Sequence, residues 1–273
     1  MSDLKAIING SIVNKADAVL HINDLSIERA YAVFDYFKTV NRVPIFWDDN
    51  LDRFFYSAQS MRLQIDYSRE QIKDLILQLM NENNIADSGI KLLLTGGYSQ
   101  DGYSIAKSNL IITQQIQKRN EAAEKNGLRL VTYEHQRQLP AVKTIDYLMG
   151  ILTQPYAKEK NADDVLFKQN SFITESPRSN IFIVTKDETI ITPEKNILYG
   201  ITRKHVLKIA AEQFKTLTQD VTIDDLYNAK EVFITSTSKN ITPISSVDEI
   251  SFCSVPGNIT KQLQLQLNKI IYG

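Results

Sequence analysis

Three groups along the chain could together bind and use one cofactor. They are Lys143, then Glu175 in the run Thr174-Glu175-Ser176-Pro177-Arg178-Ser179-Asn180, then Gly200-Ile201-Thr202 at the start of a predicted helix. A lysine amine forms a Schiff base with an aldehyde, a carboxylate holds a pyridine nitrogen protonated, and the N–H groups of a helix start bind phosphate. Pyridoxal phosphate requires all three partners. Their order and spacing predict a site for pyridoxal phosphate, with Lys143 as the catalytic residue.

Each of these groups also has an ordinary structural interpretation. A lysine before a helical stretch is commonly a solvated surface residue, a glutamate at a strand end is commonly exposed, and a helix start is commonly just capped. The apolar neighbours Val142 and Ile145 permit the partial burial that makes a lysine amine reactive near neutral pH.

Further phosphate donors are available elsewhere in the chain. Ser236 and Thr237 lie in the hydroxyl-rich run that follows the predicted strand 232–235, where such residues also serve as plain turn formers. Arg53 lies on the polar side of a predicted helix, and its guanidinium suits phosphate oxygens.

These residues depend on helices and strands that the hydrophobic pattern predicts. One helix follows the N-cap run Asp48-Asp49-Asn50, and a second opens with a capping box of Ser68 and Gln71. Lys143 precedes a largely helical stretch that reaches Lys158, and two more helices are predicted over 202–214 and 259–271. The predicted strands cover 6–10, 32–40, 91–94, 110–114, 128–133, 165–168, 181–185, 189–192 and 232–235.

The polar segment 118–127 predicts a linker between two domains. It divides the chain into an N-terminal α/β domain over 1–117 and a β-rich C-terminal domain over 128–273 that carries Lys143. The mixture of elements indicates an α/β (α+β) fold.

Composition narrows the classes of protein that remain. The 273 residues contain 31 Lys and Arg against 32 Asp and Glu, so no overall field favours nucleic acid or an anionic membrane. No signal peptide or transmembrane run is visible, and the cytoplasm is the expected compartment. The lone Cys253 is expected to be a buried apolar thiol. His21, His135 and His205 lack metal-ligand spacing, so no metal is expected.

With these residues in place, the chain resembles the class IV aminotransferases, the fold-type IV pyridoxal phosphate enzymes. The family includes D-amino acid and branched-chain aminotransferases and 4-amino-4-deoxychorismate lyase. The resemblance runs from about Ile22 to Ile244. Five blocks carry it: Asn50–Arg53 with Ser57-Ala58, Lys143, Thr174–Phe182, Leu198–Arg203 and Phe233–Pro243.

The resemblance implies a two-domain fold with the cofactor between the domains, and a homodimer. It implies that Lys143 forms the Schiff base and that Glu175 holds the ring nitrogen, with Leu198 packed under the ring. The remaining cofactor contacts that it implies are Arg53, Asn180, Ile201, Thr202, Ser236 and Thr237.

The chain departs from the family pattern where the substrate would bind. Many members carry a glycine-rich Tyr-Gly-Asp-Gly run ending in an acid, whereas this chain has Arg29-Ala30-Tyr31-Ala32-Val33-Phe34-Asp35. The D-amino acid enzymes carry a carboxylate-binding arginine near Thr95, which is absent here, and Asp101 stands where the lyase would have an arginine. Arg178 is either a substitute anion clamp or a solvated turn residue. The candidate substrate pocket is Phe34, Asp35, Gly96, Tyr98 and Arg178.

Three functions remain open from the sequence. The leading one is a pyridoxal phosphate-dependent aminotransferase that moves an amino group between an amino acid and a keto acid through a Lys143 Schiff base. The second is 4-amino-4-deoxychorismate lyase, which eliminates pyruvate through the same lysine; Asp35-Tyr36, where lyases tend to place threonines, favours transamination. The third is a protein that binds pyridoxal phosphate with little or no turnover.

Overall fold

The computed structural model describes residues 4–273, which form two compact units. The first unit holds the chain up to Lys118 together with Val142–Asp146, and the second holds Arg119–Ala141 and Tyr147–Gly273. Lys143 thus belongs to the first unit, although it follows the predicted linker and was expected in the C-terminal domain. Most of the 118–127 segment is helical, with Glu124 buried.

The first unit is a six-stranded sheet with two long helices. Its elements are β1 (Lys5–Ile8), β2 (Ser11–Asn14), α1 (Leu25–Arg29), β3 (Ala32–Val40), β4 (Val43–Pro44), α2 (Trp47–Ser60), α3 (Arg69–Asn83), β5 (Ser88–Thr95) and β6 (Leu110–Ile116). The strand order over the described residues is β2-β1-β6-β5-β3-β4. The core packs α2 against β3, with Val33 and Phe37 buried there, and packs α3 against β1 and β6.

The helix starts differ from each other in how they are capped. The Ser68–Gln71 capping box of α3 is confirmed, with both reciprocal hydrogen bonds formed. The predicted cap of α2 is wrong, because α2 already begins at Trp47 and its N-cap, Phe46, makes no side-chain hydrogen bond. The Asp48-Asp49 pair instead lies in the first turn, where the helix dipole favours negative charge.

The second unit is built on an eleven-stranded mixed sheet. Its elements are α4 (Glu121–Asn126), β7 (Leu128–Glu134), α5 (Leu148–Leu152), α6 (Gln154–Glu159), β8 (Asp164–Gln169), β9 (Phe172–Ile173), β10 (Glu175–Ser176), β11 (Ser179–Val184), β12 (Ile190–Thr192), α7 (Ile201–Ala211), β13 (Thr216–Thr218), β14 (Val221–Thr222), α8 (Ile223–Tyr227), β15 (Glu231–Ser236), β16 (Asn240–Val247), β17 (Ile250–Ser251) and α9 (Asn258–Tyr272). The strand order over the described residues is β13-β12-β11-β15-β16-β7-β8-β9-β14. Strand β10 is added on β11, and β17 is added on β16.

One sequence prediction in this unit is wrong. Cys253 is exposed and not buried, because β17 ends at Ser251 and the chain turns away before the cysteine. The largely helical stretch predicted after Lys143 is confirmed, as the two helices α5 and α6 that meet at Thr153.

Among residues 4–273, no helix has the length and apolar character needed to cross a membrane.

Candidate functional site

The segment around Lys143 is fixed along the free edge of β3. The Phe34 N–H donates to the Lys143 carbonyl at 2.9 Å, and the Ile145 N–H donates to the Ala32 carbonyl at 3.1 Å. The Lys143 N–H donates to the Ser57 Oγ of α2 at 3.1 Å. Both backbone groups of Lys143 are therefore used, so its side chain starts from a defined position.

The side chain of Lys143 is half-buried and lies over an aromatic ring. Its Nζ is 4.5 Å from the centroid of the Phe34 ring. A second ammonium, that of Lys91 on β5, is 5.1 Å from the same centroid, and burial lowers the pKa of Lys91. Phe34 thus contacts two lysines, of which Lys143 is the one predicted to react.

Arg53 is held by the carboxylate of Asp35. Its Nε donates to Asp35 Oδ2 at 2.8 Å and its Nη2 to Asp35 Oδ1 at 2.9 Å, which is the paired geometry that guanidinium and carboxylate favour. Asp35 is fully buried. Because successive residues of a strand point to opposite faces, Asp35 and Phe34 lie on opposite faces of β3. The two proposed pocket residues thus have different surroundings.

In the second unit, Glu175 is buried and accepts hydrogen bonds from Arg137, Leu198 and Asn180. Its Oε1 accepts from Arg137 Nη1 at 2.9 Å. Its Oε2 accepts from the Leu198 N–H at 3.0 Å and from Asn180 Nδ2 at 3.3 Å. An ionised carboxylate has acceptor sites for all three donors. Glu175 is therefore a fixed, hydrogen-bonded negative charge, as a partner for a pyridine nitrogen must be.

The start of α7 has the features of an anion site. Its N-cap, Gly200, gives no side-chain cap, and its first turn carries no acidic residue. Thr202 and Arg203 are buried there. Arg203 donates to Thr192 Oγ1 at 3.2 Å and to the Pro193 carbonyl at 2.9 Å, and burial lowers the pKa of its guanidinium. A positive charge and free N–H groups thus occur in one helical turn.

Gly200 is required by the close approach of Asn180. A Cβ at position 200 would lie 2.0 Å from Asn180 Oδ1. The Asn180 amide also donates to the Leu198 carbonyl at 2.7 Å, besides its bond to Glu175. Asn180 therefore ties the carboxylate to the loop that leads into α7.

The serine and threonine hydroxyls near these elements are partly unused. Ser176, Ser179 and Thr235 are buried, and their hydroxyls have no hydrogen-bond partner among the described residues. Ser236 accepts from the Lys239 N–H at 3.2 Å, and Thr237 beside it is half-buried. Buried hydroxyls without a protein partner suit the polar atoms of a ligand.

The other candidate pocket residues are spread over exposed and buried positions. Gly96 is buried, and a Cβ there would come within 2.9 Å of Leu25. Tyr98 is 42% exposed, and Arg178 is exposed at the tip of the β10–β11 hairpin. Asp101 accepts hydrogen bonds from Ser104, Tyr103 and Ser99, which lower its pKa and fix the loop.

Arg137 is a site residue that the sequence interpretation missed. It lies 38 positions before Glu175 in the chain, in a polar stretch that resembles many surface loops. No local pattern marks it, because the hydrogen bond to Glu175 arises only when β7 and β10 are folded into one unit. Asn180 and Leu198 are predicted cofactor contacts, and in the structure both donate hydrogen bonds to Glu175 Oε2.

The residues of each unit, taken separately, fit a part of pyridoxal phosphate. The first unit offers a lysine in a half-buried aromatic setting, and the second offers a fixed carboxylate, an uncapped helix start and unpartnered buried hydroxyls. These are the partners that an aldehyde, a pyridine nitrogen and a phosphate would need.

Comparisons with known proteins agree with this chemistry. The family model for amino-transferase class IV matches residues 32–247. A provisionally assigned branched-chain-amino-acid aminotransferase of Methanocaldococcus jannaschii is 30% identical over 98% of this chain and 96% of its own. A D-alanine aminotransferase of Staphylococcus epidermidis is 30% identical, with 98% of each chain covered.

Solved structures show the same fold. The branched-chain amino acid aminotransferase of Escherichia coli superposes with a TM-score of 0.92 at 23% identity, covering 100% of this chain and 96% of the other. The branched-chain aminotransferase of the archaeon Thermoproteus uzoniensis, solved with norvaline, gives a TM-score of 0.90 at 23% identity, with 99% and 95% covered.

Proposed function

The chain belongs to the class IV aminotransferases, and on that premise we propose that it transfers amino groups with pyridoxal phosphate attached to Lys143. The observation that carries the assignment of Lys143 is its setting. Both of its backbone groups are hydrogen-bonded, and its ammonium lies 4.5 Å from the Phe34 ring centroid in a half-buried position. A lysine held in this way is pre-positioned as a nucleophile.

Each unit supplies a different part of the chemistry. When bound, pyridoxal phosphate supplies an electron sink for the substrate's α-carbon. Lys143 would hold the cofactor through its Nζ, and the same amine would serve as the base that accepts the substrate's α-proton and as the acid that returns it. Glu175, which accepts hydrogen bonds from Arg137 and from the Leu198 N–H, would hold the protonated ring nitrogen. The α7 start, with Thr202 and the charge of Arg203, binds the phosphate.

The roles of the remaining cofactor residues are part of the same proposal. Leu198 would pack against the ring, and Ser236 and Thr237 would add hydroxyl donors to the phosphate. Arg53 would attract the phosphate through its positive charge, while its Nε and Nη2 donate to Asp35. We propose Phe34 as a wall of the substrate pocket, since it contacts Lys143 directly.

The substrates proposed are an amino acid and a keto acid. Relatives named as branched-chain and D-alanine aminotransferases support this proposal, and they do not favour the lyase alternative. Release of 4-aminobenzoate from aminodeoxychorismate without any keto acid acceptor would revive the lyase. A homodimer and a cytoplasmic location are proposed from the family resemblance.

Attachment of the cofactor to Lys143 is tested by borohydride reduction and peptide mapping. We expect the reduced cofactor on the peptide that contains Lys143, and we expect its loss in Lys143→Arg. Lys91→Arg is the matched control, because Lys91 contacts the same ring and its lowered pKa also favours reaction. Labelling at Lys91, or normal turnover of amino acids by Lys143→Ala, would refute the assignment.

A further inference from the structure

Two hairpin tips lie side by side at the same ends of neighbouring strands in the second unit's sheet. The β10–β11 hairpin pairs Ser176 with Ser179, so Pro177 and Arg178 form its tip. The β15–β16 hairpin pairs Ser236 with Asn240, so residues 237–239 form its tip. Strands β11 and β15 are neighbours, with Asn180 opposite Thr235, and this register brings the two tips to the same strand ends.

Each tip carries a basic side chain that is poorly neutralised. Arg178 is exposed and has no hydrogen-bond or ion-pair partner among residues 4–273. The Lys239 ammonium is 3.4 Å from Asp164 Oδ2, at the outer limit of a hydrogen bond, although its side chain is only 20% exposed.

The charges of the two tips act on each other. Burial lowers the pKa of Lys239, the charge of Arg178 lowers it further, and Asp164 and Asp163 oppose both. Asp163 also pairs with Arg129 at 3.7 Å, so its charge is shared. Arg178 and Lys239 together carry two positive charges, and Asp164 is the main carboxylate beside them. About one positive charge is therefore left uncompensated at the paired tips.

Two unused hydroxyls lie in the hairpin that carries Arg178. Ser176 and Ser179 flank the Pro177-Arg178 tip, are 1% and 5% exposed, and have no partner for their Oγ atoms among the described residues. They are directly opposed in the hairpin, so both point to the same face. Pro177 is held between them against α5, where a Cβ on Gly150 would lie 3.0 Å from the Pro177 Cβ. The tip is thus a packed element and not a loose turn.

We propose that Arg178 and Lys239 form an anion site that binds a carboxylate of the substrate, with the Ser176 and Ser179 hydroxyls as further donors. The proposal rests on the proposed function and deepens it. Arg178 is three residues beyond Glu175 in the same hairpin, so the site belongs to the strand ends that carry the ring partner. One net positive charge and a planar guanidinium match a monoanionic carboxylate. The cofactor's phosphate, which carries more charge, is assigned to the start of α7 with the Ser236 and Thr237 hydroxyls.

The test measures binding of succinate to the cofactor-loaded enzyme through the change in cofactor absorbance. The variants are Arg178→Gln, Arg178→Lys and Lys239→Met. The control is Lys186→Gln, which removes the same charge from an exposed turn beyond the other end of β11. We expect about a tenfold rise in Kd for Arg178→Gln and for Lys239→Met, a smaller rise for Arg178→Lys, and no change for the control. The KM for keto acids should rise in parallel with little change in kcat.

Two outcomes would overturn the proposal. One is a Kd for succinate within twofold of wild type in both Arg178→Gln and Lys239→Met. The other is a larger loss of affinity for inorganic phosphate on the apoenzyme than for succinate, which would identify the anion as the cofactor's phosphate. Arg178→Gln changes an exposed residue, so it remains informative if Lys239→Met fails to fold. The proposed function is tested separately, by the borohydride-reduced cofactor on the Lys143 peptide. The Arg178 and Lys239 variants should still carry that label, so its absence would count against the proposed function and not against the anion site.

Discussion

The buried carboxylate of Glu175 forms a salt bridge with a charged neighbour in its own unit. Arg137 supplies that charge at 2.9 Å, and the side chains of the pair are 14% and 5% exposed. The Leu198 N–H and the Asn180 amide are neutral donors, so they orient the carboxylate without balancing it. A buried charge that loses its counter-charge is strongly destabilising. Arg137 therefore contributes directly to stabilising the buried Glu175 carboxylate.

Arg137→Met is expected to lower the free energy of unfolding by about 3 kcal/mol, because it removes the salt-bridge partner of a buried carboxylate. The measurement is urea denaturation of the apoenzyme. The control is Arg129→Met, which breaks an exposed pair at 3.7 Å that is worth less than about 1 kcal/mol. Equal effects of the two variants would show that Glu175 does not depend on Arg137.

At the scale of the element, Asn180 and Gly200 couple the Glu175 hairpin to the start of α7. The Asn180 side chain bonds both Glu175 and the Leu198 carbonyl, and it occupies the space that a side chain at position 200 would need. Gly200 has φ −66, an ordinary value, so its requirement is spatial and not conformational. One amide consequently positions both Glu175 and the loop that leads into α7.

Gly200→Ala is expected to displace the Asn180 amide and to cost about 2 kcal/mol of stability through overpacking. Cofactor affinity should fall with it, measured by titrating pyridoxal phosphate into the apoenzyme. Asn180→Ala is the diagnostic background, because it removes the atom that the new methyl would meet at 2.0 Å. If Gly200→Ala costs the same in that background, the close approach to Asn180 is not the cause.

The sequence predicts elements well where the pattern is local. Strand β3 has the predicted bounds, and the Ser68 capping box forms as its spacing requires. The prediction from sequence fails where tertiary contacts determine the bounds of an element or the burial of a residue. The N-cap of α2 lies at Phe46, before the acidic run, and Cys253 is exposed because β17 is only two residues long.

The candidate site divides in the same way. Lys143, Glu175 and the α7 start are recognisable because each lies in a short motif. Arg137 and Lys239 are not, because their partners Glu175 and Asp164 are 38 and 75 positions away in the chain. A hydrogen bond between distant segments leaves no periodic signal in the sequence.

At the scale of the whole molecule, the surface helix α5 exposes apolar side chains to solvent. Leu148, Ile151 and Leu152 of α5 are 69%, 65% and 60% exposed, and no residue of this helix is buried. Single exposed apolar residues are ordinary, whereas three within five positions form a patch that is typical of an association surface. A second copy of the chain is the occupant that the proposed homodimer supplies.

Light scattering coupled to size-exclusion chromatography measures the assembly directly. We expect a mass near twice the 31.1 kDa of one chain for the wild type, and a shift toward the single-chain mass for Ile151→Lys, because burying a lysine charge in an apolar interface is unfavourable. Leu265→Lys is the matched control, since Leu265 is 64% exposed on α9, close to the 65% of Ile151. A wild type that elutes as a single chain would refute the homodimer. A dimer that survives Ile151→Lys as well as Leu265→Lys would place its interface away from α5.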